Sequence, residues 1–420
     1  MTQAFYSGIS GLRTYTSGID VISDNLANIS TTGFRSSNAE FSSLFEDAVC
    51  QTGSASSDTV GVGVQMQATS MNKGQGSLLL SDRSTDLAIL GDGWFSIQRD
   101  GKPLYTRDGS FGFDANDDLV TADGFHVLGT MGNNISDNDV LTKQIDEIKL
   151  GNVANQTKLR FPKTLSYPPE PTTKAKFTAN LGVGKKGFEV ITVGAGVVDP
   201  QNQKNHLRLE FKKSAVQTAP GTQWDVTATV KTIDGKTTYA TEKGKVSFND
   251  AGALTSTTLT SIDNNGAAVA IDMGTGYDGI VSIDIPVASG SSVADGTMGG
   301  DLAGYSINKN AEVIATFTNG LQSSVGKVAV FHFTNEQGLS RISGTRFEES
   351  PNSGKPLFYK DANGDNINGS GVMNFKLEGS NFELSAGLTE LIIFQRAYDA
   401  NSKSVTTADQ MMQKALQMDA

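Results

Sequence analysis

The chain has 420 residues, of which 37% are hydrophobic and 46 are glycine, a composition that favours turns and β-structure over large helical cores. Its 34 basic residues face 45 acidic ones, and the net charge of −11 disfavours binding to nucleic acid or to an anionic membrane surface. No apolar stretch reaches the ~20 residues of a membrane-spanning helix, and the first residues lack the basic and apolar regions of a secretory signal, so we expect no membrane insertion.

The first 34 residues carry an apolar stripe that is typical of a helix. Seven residues at helical spacing form it: Phe5, Ile9, Leu12, Ile19, Ile22, Leu26 and Ile29. We expect this helix to end at Gly33, since glycine readily takes the left-handed conformation that closes a helix. Three interior glycines, Gly8, Gly11 and Gly18, each cost about 1 kcal/mol relative to alanine, so the helix needs a partner.

The other end of the chain supplies a second helical pattern, opened by a predicted capping box of Ser380 and Glu383. Its apolar positions are Leu384, Leu388, Leu391, Tyr398, Val405, Met412 and Leu416. In the middle of this pattern, the positions four residues after Leu391, Tyr398 and Val405 are Gln395, Ser402 and Asp409, and we call them the companion positions. The predicted contact seam of the helix is therefore half polar, which favours several neighbouring helices over one. We expect the two ends to pack together, and to become ordered only when other copies of the chain surround them.

Between these ends the apolar period changes to two, which predicts antiparallel β-structure. Over residues 86–130, short apolar runs alternate with Gly and Asp turn signals. Three later strands are predicted by apolar residues on one side only: Leu207, Leu209 and Phe211; Trp224, Val226, Ala228 and Val230; Val281, Ile283, Ile285 and Val287.

Proline and glycine place the domain boundaries. Four prolines fall within residues 162–171, which predicts a stiff extended connection, and a glycine-rich stretch at residues 290–300 predicts the return path. The resulting fold class is mainly β with terminal α-helices, in which coiled-coil-like ends enclose two nested antiparallel β domains. The predicted units are a helical assembly domain (1–34 with 380–420), a linker (35–72), an inner β domain (73–161 with 302–379) and an inserted outer β domain (162–301).

No pattern in the sequence is typical of a catalytic, cofactor or metal site. Cys50 is the single cysteine, and His126, His206 and His332 are too far apart in sequence to share a helix face. Residues 361–365 and 114–118 begin like calcium loops but lack the glycine and glutamate that such loops need, so we interpret 361–365 as a hairpin turn. We predict no catalytic residue, cofactor or metal, while a carboxylate pair assembled by folding stays open at this point.

Several segments resemble bacterial flagellar rod and hook proteins. Residues 25–34 (NLANISTTGF) are similar to the N-terminal signature of that family, and residues 395–401 (QRAYDAN) are similar to its closing helix. Residues 105–111 (YTRDGSF) and 119–124 (LVTADG) resemble its β domain. Asp24 departs from the pattern, which has a second asparagine there. The resemblance covers both ends of the chain, while the insert of residues 162–301 favours the hook members over the shorter rod members.

The resemblance implies a structural subunit, not an enzyme, that self-assembles into the flexible helical tube of the flagellar hook and transmits torque from rod to filament. It adds Asn25, Asn28, Gly33 and Phe34 to the two apolar series as assembly residues. Implied partners are many copies of the chain, the distal rod, the hook–filament junction proteins, the hook cap and the type III export apparatus. The implied location is extracellular, after export without a cleaved signal peptide.

Two alternatives stay open. One is a distal rod subunit of the flagellar basal body, which the long insert disfavours. The other is a secreted β-domain enzyme or adhesin that uses hook-like ends for export.

Overall fold

The computed structural model describes residues 2–45, 61–183, 189–217, 220–284 and 290–418. Both ends of the described chain are helical and lie together, and the part between them is β-structure. Neither described helix is long and apolar enough to cross a membrane. The predicted fold class is confirmed, whereas Cys50 lies outside the described residues.

The N-terminal helix α1 (Thr2–Ala27) is followed by an antiparallel hairpin of β1 (Ser37–Phe45) and β2 (Gly61–Met71). The predicted linker over residues 35–72 is therefore wrong in its described part, because these residues form strands that pack on α1. The side chain of Asn25 fixes the start of β1: its Oδ1 accepts the Ser37 N–H at 2.9 Å and its Nδ2 donates to the Ser37 carbonyl at 2.7 Å.

Helix α1 ends six residues before the predicted cap at Gly33. The Asn28 side chain donates to the Asp24 carbonyl at 2.9 Å and so satisfies a helix-end acceptor. Gly33 is left-handed, with φ +67°, but its turn lies against the inner β domain. A Cβ there would lie 2.3 Å from the backbone nitrogen of Asp108, so only glycine fits this close approach.

The first pass through the inner β domain contains nine short strands: β3 (Leu78–Leu80), β4 (Leu87–Leu90), β5 (Trp94–Arg99), β6 (Lys102–Thr106), β7 (Phe111–Phe113), β8 (Leu119–Thr121), β9 (His126–Met131), β10 (Thr157–Lys158) and β11 (Ser166–Tyr167). The alternating apolar and turn signals of residues 86–130 thus correspond to consecutive strands.

The outer β domain contains twelve described strands: β12 (Lys174–Phe177), β13 (Ala179–Asn180), β14 (Val190–Val198), β15 (Lys204–Lys213), β16 (Thr222–Thr232), β17 (Thr238–Phe248), β18 (Leu254–Thr257), β19 (Ser261–Asn264), β20 (Ala267–Asp272), β21 (Gly274–Thr275), β22 (Asp278–Val281) and β23 (Ser292–Ala294). Strands β14 to β18 form a meander, and the residues predicted to face inward on β15 and β16 are all buried. The strand predicted over 281–287 is shorter: β22 ends at Val281, and Ile285 and Val287 lie outside the described residues.

The second pass through the inner β domain contains ten strands: β24 (Gly300–Ile307), β25 (Glu312–Phe317), β26 (Gln322–Val328), β27 (Val330–Phe331), β28 (Ser340–Ser343), β29 (Arg346–Glu348), β30 (Tyr359–Lys360), β31 (Asn366–Ile367), β32 (Gly371–Asn374) and β33 (Lys376–Glu378). The large sheet runs in the order β11-β24-β25-β26-β9-β5-β6-β29-β28, so both passes build one sheet. Two paired segments lead to the outer β domain, with Glu170 and Thr297 exchanging backbone hydrogen bonds of 2.9 Å.

The C-terminal helix α2 (Leu384–Met418) begins after β33. The predicted capping box is not formed, because the Ser380 hydroxyl accepts the Phe382 N–H at 3.3 Å instead of an N–H of the helix. The Glu383 carboxylate accepts the Ser385 hydroxyl at 2.9 Å. The helix therefore starts four residues after Ser380.

His332 gives the inner β domain a predictable response to pH. Its ring is buried, lies 4.5 Å from the Tyr359 ring centroid and contacts the Asn368 carbonyl. Burial lowers the pKa of His332 below its usual 6.5. Because the unfolded chain takes up a proton first as the pH falls through about 6.5, the free energy of unfolding should fall in that range.

We expect urea denaturation from pH 7 to pH 5 to show this loss in the natural chain and a shallower loss in His332→Gln. His206, which is exposed, supplies the matched control, and His206→Gln should keep the slope of the natural chain. Equal slopes in all three proteins would contradict the assignment to His332.

Candidate assembly surface

Helices α1 and α2 pack against each other through glycines. An ideal Cβ on Gly8 would lie 2.6 Å from Cγ2 of Val405, and one on Gly18 would lie 2.7 Å from the Phe394 ring. The missing side chains thus let the two backbones approach closely. Gly11 faces the Asn401 side chain in the same way. The glycines that weaken α1 as an isolated helix form its contact face for α2.

The seam of α2 differs from the predicted one on one side. Leu391, Val405 and Met412 are half-buried, as the seven-residue series predicts. The companions of Leu391, Tyr398 and Val405, however, are Phe394, Asn401 and Ala408, and not Gln395, Ser402 and Asp409. The prediction uses the position four residues after each series member, whereas the helix contacts α1 with the position three residues after. Phe394 is 7% exposed, and a large aromatic residue three positions after Leu391 is a signal in the sequence that favours this side of the seam.

The pairing of the two ends within one chain also differs from the expectation that they order only among other copies. The hairpin β1–β2 supplies a third element beside the two helices. The rings of Tyr15, Phe41 and Phe394 meet there at centroid distances of 5.5 to 5.9 Å. Each helix therefore finds two neighbours in its own chain.

One side of α2 keeps large apolar side chains in solvent. Leu384, Leu388 and Ile392 recur every four residues and are 45%, 42% and 57% exposed, and we call them the α2 stripe. Ile393, Met411 and Leu416 are exposed as well. Contiguous exposed apolar side chains of this kind mark interaction surfaces.

The structure divides the predicted assembly residues into three groups. Leu384, Leu388, Tyr398 and Leu416 are exposed. Nine are half-buried: Phe5, Ile9, Leu12, Ile19, Leu26, Asn28, Leu391, Val405 and Met412. Four are buried within the chain and hold its own fold: Ile22, Asn25, Gly33 and Phe34. An assembly surface is therefore available from the first two groups.

A buried ionic cluster ties the helical ends to the inner β domain. The Glu378 carboxylate, 1% exposed, lies 3.0 Å from the Arg35 guanidinium and 3.2 Å from that of Arg107. The Gly76 N–H also donates to Glu378 at 2.9 Å. Burial and the neighbouring Arg35 lower the pKa of Arg107 to about 10. We call these three ionic side chains the Glu378 junction.

Asn381 extends this junction to the start of α2. Its Oδ1 accepts the Ser36 N–H at 2.7 Å, and its Nδ2 donates to the carbonyls of Asn72 and Gly74 at 2.9 and 2.8 Å. The three segments that connect the helical ends to the β-structure, at Ser36, at residues 72–74 and at Asn381, are thus hydrogen-bonded to one another. Sequence reasoning missed this cluster, because its members lie hundreds of residues apart along the chain.

Asp24, the departure from the family pattern, also takes part in this attachment. Its carboxylate lies 3.7 Å from the Arg341 guanidinium, which stacks 5.0 Å from the Phe34 ring. Burial lowers the pKa of Arg341. A side chain of the inner β domain therefore reaches the end of α1.

At the two candidate ion sites, groups of the protein itself already bind the carboxylates. Asp114, Asp118 and His126 bring ligand atoms within 4.8 Å of one another, a cluster that sequence reasoning missed. The Lys158 ammonium, however, lies 2.7 Å from the Asp118 carboxylate and supplies the positive charge. Residues 361–365 form the predicted hairpin turn, where Asp361 accepts two backbone N–H groups.

Three family models match the chain. The model described as flagella basal body rod protein matches residues 5–35, the flagellar hook protein FlgE/F/G D1 domain matches residues 88–159, and the flagellar basal body rod FlgEFG protein C-terminal model matches residues 375–418. These ranges include most of α1 and its turn, β5 to β10 of the first pass through the inner β domain, and α2.

Curated relatives match along nearly the whole chain. The flagellar hook protein FlgE of Borreliella burgdorferi is 26% identical over 100% of both chains, and that of Escherichia coli is 27% identical over 97% of this chain and 98% of its own. A crystal structure of the Helicobacter pylori flagellar hook protein FlgE2 covers 71% of this chain and 100% of its own, with a TM-score of 0.51 and 16% identity, which shows the fold. The matched models and relatives are all flagellar hook or rod proteins, and this similarity supports a flagellar hook protein.

Proposed function

We propose that this chain is a structural subunit of the flagellar hook, and that its copies associate through the terminal helices into a tube. The observation that carries the proposal is the α2 stripe, which leaves Leu384, Leu388 and Ile392 in solvent although α2 is already packed on α1. Such side chains gain about 1.5 to 3 kcal/mol each when fully buried. Association of many copies supplies that burial.

The outer β domain and the helical ends have separate parts in this proposal. The helices join neighbouring copies, while the β domains lie at a larger radius and slide past one another when the tube bends. The Glu378 junction fits this division, because its buried charges attach the helical ends to the inner β domain within one copy. Heterologous contacts between identical copies propagate as an open helix.

The finer assignments also belong to the proposal. The distal rod, the hook–filament junction proteins, the hook cap and the type III export apparatus are proposed partners. The proposed location is outside the cell, after export without a cleaved signal peptide. A single cysteine supports this route, since the chain relies on burial and not on internal disulfides.

The alternatives receive less support. Relatives that match along the chain are named hook proteins, so a distal rod subunit is not favoured. A structural role of those relatives also disfavours the secreted enzyme or adhesin.

Electron microscopy of the purified chain tests the proposal. We expect concentrated protein, seeded with sonicated fragments, to form tubes of uniform diameter whose images show bending. A chain that stays monomeric at every concentration and salt tested would contradict a hook subunit. Straight, short and inflexible polymers would instead support the rod alternative.

A further inference from the structure

A groove runs between α1 and the strand β2. It has a volume of about 450 Å³ and is lined on α1 by Tyr6, Ile9 and Arg13 and on β2 by Met66. Two hydrogen bonds hold its floor: the Thr14 hydroxyl donates to the Val64 carbonyl at 2.9 Å, and the Val64 N–H donates to the Ser10 hydroxyl at 3.3 Å. We call it the α1–β2 groove.

The α1–β2 groove faces away from α2 of its own chain. Helix α1 contacts α2 with Gly8, Gly11 and Gly18, and at about 100° per residue Tyr6 and Arg13 lie on the opposite side. The α2 stripe likewise lies on a different side of α2 from the seam that contacts α1. Groove and stripe therefore cannot meet within one chain.

We propose that the α2 stripe of a second copy of this chain occupies the α1–β2 groove. This inference rests on the proposed function and deepens it by naming the two surfaces that meet. The lengths agree: the stripe spans about 12 Å along α2, and the lined part of α1 spans about 16 Å. Apolar Ile9 and Met66 face the apolar stripe.

Charge favours the same occupant. The groove carries Arg13, which forms no ion pair among the described residues. On the stripe side of α2, seven residues beyond Ile392, the exposed Asp399 also forms no ion pair within the described part of the chain. Asp399 lies about 10 Å beyond Ile392 along α2, so it does not pair with Arg13 when the stripe fills the groove, but opposite charges at this separation steer the two surfaces together. Because groove and stripe are different surfaces of one chain, the contact is heterologous and leaves both ends of a polymer open.

Disulfide trapping between two differently labelled chains tests the inference. In a Cys50→Ser parent, a chain with Ile9→Cys is mixed with one carrying Leu384→Cys, Leu388→Cys or Ile392→Cys, assembled, and oxidised. We expect a disulfide-linked dimer with at least one stripe position, at least about tenfold above the control, because assembly raises the local thiol concentration. Ser404→Cys is the matched control, since Ser404 is exposed on the other side of α2.

The outcomes separate the inference from the proposed function. Polymers that form but yield no more dimer with the stripe than with Ser404→Cys would overturn the inference alone. An Ile9→Cys thiol that already resists maleimide in the monomer would also overturn it, since the groove would then be closed to a second copy. Failure of the Cys50→Ser parent to polymerise would overturn both. Met66→Cys replaces Ile9→Cys if the latter blocks assembly.

Discussion

Replacement of Ile392 by aspartate is expected to abolish tube formation and to leave the monomer folded. Ile392 is 57% exposed in the single chain, so a carboxylate there remains in water and costs the monomer little. In the polymer that we propose, a second copy covers the same side chain. The loss of apolar burial and the desolvation of a charge then cost about 3 kcal/mol or more for each contact.

This cost should raise the concentration needed for assembly by about 100-fold or more, because each 1.4 kcal/mol is a factor of ten. Sedimentation and electron microscopy over a concentration series measure it, and circular dichroism checks the monomer. Ser404→Asp is the control, with the same new charge on an exposed position of the same helix. Assembly of Ile392→Asp at the natural concentration would show that the α2 stripe is not buried between copies.

The terminal helices show how much of the structure apolar periodicity can predict. Both helices are predicted by a seven-residue repeat, and both exist. The repeat does not, however, say which neighbouring positions complete a seam. In α2 the contact includes Phe394 and Asn401, because packing depends on where the partner's glycines allow the backbones to approach. The positions of those glycines lie in α1, and their effect on the seam of α2 is visible only when the two helices are packed together.

Glycine has opposite effects on α1: it lowers the intrinsic helix propensity, but it allows close packing against α2. Gly8, Gly11 and Gly18 lower the helix propensity of α1, and local reasoning therefore predicts a weak helix. Their spacing of three and seven residues also places them on one helix face, which is the signal of a close helix–helix contact. Tertiary packing decides between the two, and here the helix forms.

The hairpin and the Glu378 junction could not be predicted for different reasons. Strands β1 and β2 contain several serine, threonine and glycine residues, so their composition indicates a linker, whereas in the fold they pair with each other and contact α1. Arg35, Arg107 and Glu378 look like ordinary surface charges in the sequence. Only the long-range fold brings them together, since nothing in the local pattern marks a charge as buried.

The largest loss of stability is expected from Glu378→Gln. The carboxylate of Glu378 balances two guanidinium groups that are themselves 3% and 2% exposed, on Arg35 and Arg107. Glutamine keeps the shape and can still accept the Gly76 N–H, but it leaves both cations buried without a counter-charge. Removing one partner of a buried ion pair costs about 3 to 5 kcal/mol.

Asp365→Asn provides the matched control for charge removal. Asp365 lies 2.6 Å from Lys149, but their side chains are 41% and 76% exposed. An exposed pair of this kind contributes about 0 to 1 kcal/mol, so its loss should change the free energy of unfolding little. The two substitutions remove the same charge and differ in burial.

Hydrogen exchange followed by mass spectrometry can locate the effect as well as measure it. In Glu378→Gln we expect amide protection to fall in the inner β domain and in the segments around Arg35 and Gly76, because the Glu378 junction holds them together. The buried core of the outer β domain, around Trp224, shares no residue with the junction and should keep its protection. Equal losses in both domains, or equal effects of Glu378→Gln and Asp365→Asn, would show that the junction does not fasten the helical ends to the β-structure.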